Sequence, residues 1–93
     1  MNKEYDMPLD KGIEKEVNIL AEHGIETFES CEGGEGHAFP EPTIRFFGHV
    51  GAGFKALQVA LDYGLPVSQL RLVWHMQEGL PTGPNWEMTF VKK

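Results

Sequence analysis

A chain of 93 residues with a net charge of −6 is long enough for one domain with one modest core, and too acidic to track a phosphate backbone nonspecifically, which takes clustered Lys and Arg. Its 41% hydrophobic and 11% aromatic content excludes a disordered chain. Apolar runs of only a few residues exclude a membrane-spanning helix, the first residues lack the apolar core of a signal peptide, and a single cysteine excludes an internal disulfide, so the expectation is one cytoplasmic domain over residues 1–93.

In chain order, Ile13, Val17, Leu20 and Ala21 recur at helical spacing from about Asp10 to His23, with Gly24 placed to close the helix in a left-handed conformation. Ile25 to Ser30 reads as a strand, and Thr43 to Phe47 reads as a second one behind Pro40 and Pro42. Gly48, Gly51 and Gly53 then break the chain before a second amphipathic helix, which Phe54, Leu57, Ala60 and Leu61 define and Gly64 ends. Val67 to Gln77 is a long strand, Glu78 to Pro84 a turn, and Asn85 to Lys92 the last strand.

The order helix, strand, strand occurs twice, and Ile19 to Ile25 resembles Val59 to Leu65. The pattern predicts an α+β fold of order α-β-β-α-β-β, with a four-stranded, mostly antiparallel sheet and two helices on one face, built from a possible duplicated αββ unit. Strand alternation assigns Ile44, Phe46, Leu70, Leu72, Trp74, Met76, Trp86, Met88 and Phe90 to the face under the helices. The opposite set, from Thr43, Arg45 and Phe47 to Arg71, His75, Glu87 and Val91, mixes charge with apolar surface. It suits either a contact with a second copy or another partner, or a solvated face carrying an Arg71–Glu87 cross-strand pair.

The chemistry gathers in Ser30-Cys31-Glu32-Gly33-Gly34-Glu35-Gly36-His37, which holds the only cysteine, one of four histidines and three glycines. Glycine lets backbone approach a ligand, and a thiol beside an imidazole is the material of a nucleophile and base pair or of a metal site. Cys31 and His37 are two ligands where zinc needs three or four, so His23, His49, Glu29, Glu32 or Glu35 would have to complete it. From Glu26 to Glu41 there are five Glu and no Lys or Arg. That charge disfavours a thiolate at Cys31 and a bare phosphate alike, and favours a cation or a neutral polar group. Equally, the glutamates are the solvated charge of an ordinary surface, and Cys31 a small buried hydrophobe.

Two further segments carry weaker signals. Gly48 to Lys55 leads into a helix with a lysine near its start, which suits an anion or only close packing. Trp74, His75, Asn85 and Trp86 flank the Glu78 to Pro84 turn, which a pseudo-twofold would relate to the Ser30 to Pro42 loop and set facing it; rings and amides there would stack on a planar ligand such as a base, unless the tryptophans are core.

Gly24 to Gly33, then Gly36-His37 and Pro42 to Phe46, resembles a group of small bacterial and phage proteins with a Gly-x-x-Thr-x-x-Ser-Cys-x-Gly segment and a following Gly-His, a group that implies no particular activity. Ser30, Cys31 and Gly33 also resemble, more faintly, the Ser-Cys-Ser-Gly-Arg segment of the tRNA wybutosine-synthesis methyltransferase family, which implies S-adenosylmethionine and tRNA; this chain lacks that arginine and is acidic there. The residues themselves call for no cofactor. The reading is a small binding protein, homodimeric, with Ser30, Cys31, Gly33, Gly34, Gly36, His37 and Arg45 as ligand-binding residues for a small polar or nucleotide-like ligand sequestered in the manner of a phage protein. An enzyme using Cys31 and His37, by nucleophile or metal, is the alternative from another class, and an acidic inhibitor of a host protein is a third.

Overall fold

The structure is a computed structural model and describes residues 12–36 and 40–91. Its elements are α1 (Glu14–Glu22), β1 (Thr27–Cys31), β2 (Thr43–Phe47), α2 (Val50–Asp62), β3 (Val67–Gln77) and β4 (Leu80–Phe90). The strands form one antiparallel sheet in the order β1-β2-β4-β3, and both helices pack on one face of it over Ile44, Phe46, Trp86, Met88 and Phe90. The α+β fold read from the sequence is the fold observed.

The two αββ halves repeat in their backbone as well as their order. Each helix closes on a left-handed glycine, Gly24 at φ 85° and Gly64 at φ 68°, and the residue after each returns a hydrogen bond, Ile25 N to Leu20 O at 3.0 Å and Leu65 N to Ala60 O at 2.9 Å. The equivalent C-cap residues meet: His23 and Tyr63 stack edge to face with centroids 5.2 Å apart. The second strands of the two halves, β2 and β4, pair antiparallel at the centre, Thr43 opposite Thr89 and Phe47 opposite Asn85.

That pairing overturns the expectation that the two interstrand loops face one another. The start of β2 lies beside the end of β4, so the glycine loop and the β3–β4 turn sit at opposite ends of the sheet. The turn is also shorter than read. Only Glu78 and Gly79 form it, both at positive φ, and β4 begins at Leu80. Pro81, Gly83 and Pro84 look like loop in the sequence, yet they are admitted to a strand because β2 covers β4 only from Asn85 onward, leaving the earlier residues unpaired on that side. A register shift between Val73 and His75 absorbs the extra residue. The result is a two-stranded arm projecting past the rest of the sheet.

The second correction concerns α2. The sequence offers Phe54, Leu57, Ala60 and Leu61 as its apolar face; Ala60 is buried and Leu57 half-buried against the core, but the helix turns Gly53, Ala56 and Val59 inward with Ala60 and leaves Phe54 and Leu61 about three-fifths exposed, at 62% and 58%. The reason is space. A Cβ on Gly53 would lie 2.3 Å from Cε2 of Trp86, so the helix sits down on the indole with its smallest side chains. Trp74, also expected in the core, is 56% exposed, and Leu72 and Met76 beside it are exposed as well; these β3 residues run out beyond the cover of α2. Among the described residues no helix is long and apolar enough to cross a membrane.

Candidate functional site

The glycine loop leaves β1 at Cys31 and closes on itself. Gly33 takes φ 82°, and a Cβ there would lie 2.4 Å from the carbonyl carbon of Glu41. Gly34 N–H donates to the Pro40 carbonyl at 3.0 Å. The missing side chain of Gly33 is therefore filled by the returning backbone and not by open space for a ligand. Gly36, at φ 84°, has nothing within 4 Å of where a Cβ would stand and faces solvent.

Cys31 is 5% exposed, and its Sγ accepts from Gly33 N–H at 3.4 Å. By register it shares a sheet face with Thr43, itself buried. The thiol is packed as a small hydrophobe, without the exposure an attacking thiolate needs. His37 lies outside the described residues. His23 Nδ1–H donates to the Ile19 carbonyl at 2.9 Å and its Nε2 meets the Tyr63 hydroxyl at 3.3 Å, and His49 caps α2, its Nδ1 accepting from Gly51 N–H at 3.0 Å. Among the described residues no three of His, Cys, Asp and Glu come together as a metal site.

Arg45, expected at the ligand site, is engaged elsewhere. Its Nε donates to Glu87 and its Nη1 to Glu29, each at 3.0 Å, while Arg71 donates to the other Glu87 oxygen. The expected Arg71–Glu87 pair exists and is extended to a four-residue chain across β1, β2, β4 and β3. Glu87 is 3% exposed. Burial alone would raise its carboxyl, but the hydrogen bonds from Arg71 and Arg45, together with their charges, outweigh burial and hold it below the usual carboxylate range. Beside this network Phe28 and Phe47 stack at 4.3 Å.

The remaining expected platforms separate. Trp86 lies buried on the helix side and donates from Nε1 to the His49 carbonyl at 2.9 Å, and Trp74 shares that side; His75 and Asn85 alternate to the other. No stacking site joins the four. At the N-terminus of α2 the glycines serve packing, Gly53 against Trp86 and Gly48 against Ala52, and His49 already occupies the Gly51 amide.

What the loop does border is a cavity of about 210 Å³ lined by Gly12, Glu16, Glu32, Gly33, Pro42, Phe90 and Val91. Its floor is the end of the β2–β4 ladder, where Phe90 N–H donates to the Pro42 carbonyl at 2.8 Å. Glu32 Oε1 accepts from Gly12 N–H at 2.9 Å, tying the loop to the start of α1. Glu16 is the residue the sequence reading missed. It is 4% exposed and accepts no hydrogen bond from a described residue. The signal was present: in the stripe Ile13, Glu16, Val17, Leu20, a carboxylate occupies a position that helical spacing assigns to the core. Of the expected ligand-binding residues that the structure describes, Gly33 alone lines this cavity. Comparison with protein-family models, curated proteins and solved structures finds no match to this chain.

Proposed function

We propose that the protein is a small cytoplasmic binding domain that sequesters a ligand through a small cationic head group seated between Glu16 and Glu32, at the foot of the glycine loop. The observation that carries this reading is the buried Glu16 carboxylate on the cavity wall. A carboxylate held largely out of water is costly to keep, and a cation in the adjoining space offsets that cost. Size narrows the ligand. A cavity of about 210 Å³ falls below the ~300–1,000 Å³ of sites that enclose a drug-sized molecule. It takes an ammonium or guanidinium head group, and the remainder of a larger ligand lies outside. A whole nucleotide, whose phosphates the two glutamates would also repel, is disfavoured.

The test uses the intact protein with methylammonium, 1,4-diaminobutane and guanidinium as probes, read by thermal shift and by titration calorimetry. A bound cation is expected to raise the melting temperature, by several degrees near saturation, and Glu16→Gln to abolish the shift. In the absence of probe the same substitution keeps the side chain's size and is expected to leave the melting temperature within a few degrees of the wild type, so that loss of the shift reports the carboxylate and not the fold. No shift with any cation, or equal shifts in wild type and variant, rejects the reading.

A further inference from the structure

The outer stripe of α2 and the free edge of β3 form one apolar surface, remote from the cavity and not used by the proposed ligand. Val50, Phe54, Leu57 and Leu61 recur at helical spacing along the outside of α2, and of these only Leu57 is half-buried. Phe54 stands 6.4 Å from Trp86 between ring centroids, and Trp86 pairs across the sheet with Leu72. Leu72, Trp74 and Met76 then continue the surface along β3, all exposed. β3 is an edge strand of eleven residues, and β4 is its partner within the chain.

Edge strands are ordinarily protected by lysines, prolines or inward charges. β3 has none of these: its single charged residue is Arg71, which is drawn to Glu87. Six exposed apolar side chains, each presenting on the order of 100 Å², amount to roughly 600 Å², the upper end of the largest patch on a typical monomer. With the strand edge added, the area approaches the ~800 Å² per partner of a specific interface.

We infer that this surface binds a second copy of the same chain, β3 pairing antiparallel with its counterpart about a twofold axis normal to the sheet. The charge distribution favours a copy over a charged partner. The chain carries −6, yet Val50 to Leu61 and Val67 to Gln77 contain no Asp or Glu, so two acidic molecules meet here on their acid-free sides. The edge is also self-complementary. An antiparallel pairing centred near Leu72 sets Leu70 opposite Trp74 of the other copy and Arg71 opposite Val73, with no like charges in register. The sheet becomes eight-stranded and continuous, and a twofold normal to it keeps both α2 helices on one face, where Phe54 and Trp74 close over the seam. This interface lies on the helix side and edge, and not on the open sheet face that the sequence suggested for a dimer.

Sedimentation velocity on the wild type, Phe54→Glu, Trp74→Glu and Phe47→Glu decides the matter, with circular dichroism checking that each variant retains its fold. These side chains are all exposed, so the monomer should tolerate each change. The wild type is expected to be dimeric at micromolar concentration, Phe54→Glu and Trp74→Glu to weaken the dimer at least about 100-fold, and Phe47→Glu, on the open face, to leave it within threefold. A wild type that stays monomeric at every concentration overturns the inference. So does a dimer that survives both Phe54→Glu and Trp74→Glu, or one that Phe47→Glu alone dissociates.

Discussion

Glu87 shows how one buried residue sets the acid stability of the sheet. It is held by Arg45 and Arg71, and its folded-state carboxyl lies below the ordinary value. A lowered folded pKa means that the contribution to stability is complete above the unfolded value, about pH 4.3, and is lost as pH falls through the lower folded one. Glu87→Gln should cost about 2 kcal/mol at pH 7, less than the ~3–5 of a fully buried broken pair because Arg71 retains water. At pH 3 the cost should shrink, and urea unfolding of both proteins at the two pH values checks the sign. Cys31 is the contrasting residue. Packed at 5% exposure, it should react with a thiol reagent only through opening of the fold, so the labelling rate should rise with added urea and Cys31→Ala should cost about 1 kcal/mol. Rapid stoichiometric labelling of the folded protein would restore the nucleophile.

The elements were legible where one physical requirement dominates. A helix such as α1, with one apolar stripe and a closing glycine, has a single way to face the sheet, and the alternation of β2 and β4 over Ile44, Phe46, Trp86, Met88 and Phe90 fixed their buried side in the same way. α2 was not legible because it carries two apolar stripes, one of large residues and one of small. Which one turns inward depends on the distance to Trp86, a residue of another element. The first half of β4 was hidden for a related reason, since its prolines are acceptable only where a neighbouring strand is missing. The loop showed its glycines but not their use, and three alanine substitutions separate the uses. Gly36→Ala meets no atom and should cost only the ~1–2 kcal/mol of a left-handed conformation. Gly33→Ala adds a collision with the Glu41 backbone, and should exceed that and disturb the loop. Gly53→Ala, at an ordinary helical φ, collides only with the Trp86 ring and should cost ~1–3 kcal/mol by overpacking. Denaturation midpoints in the order Gly36→Ala, Gly53→Ala, Gly33→Ala from most to least stable would establish backbone closure, and not ligand approach, as the use of Gly33.

At the scale of the molecule, the two ends of the sheet differ in character: the glycine loop and cavity gather carboxylates at one, and the β3–β4 arm at the other carries exposed apolar side chains, with Glu78 at its tip as its one carboxylate. A 93-residue chain buries only about 60 to 65% of its unfolded surface, so covering the arm by association adds burial that the monomer cannot reach. The two tryptophans report on this separately. Trp86 is buried with its indole N–H satisfied, so its emission should not depend on concentration. Trp74 is more than half exposed in the single chain and lies at the seam of the inferred dimer. On dilution through the dissociation range, wild-type emission should move to longer wavelength and become more accessible to iodide, as Trp74 passes from the interface to water. Trp74→Phe, which keeps an aromatic ring in the seam, should still dissociate by sedimentation yet lose the spectral change. An unchanged dilution response in Trp74→Phe would assign the signal to Trp86, which lies opposite Leu72 and beside Phe54, and would take Trp74 out of the seam.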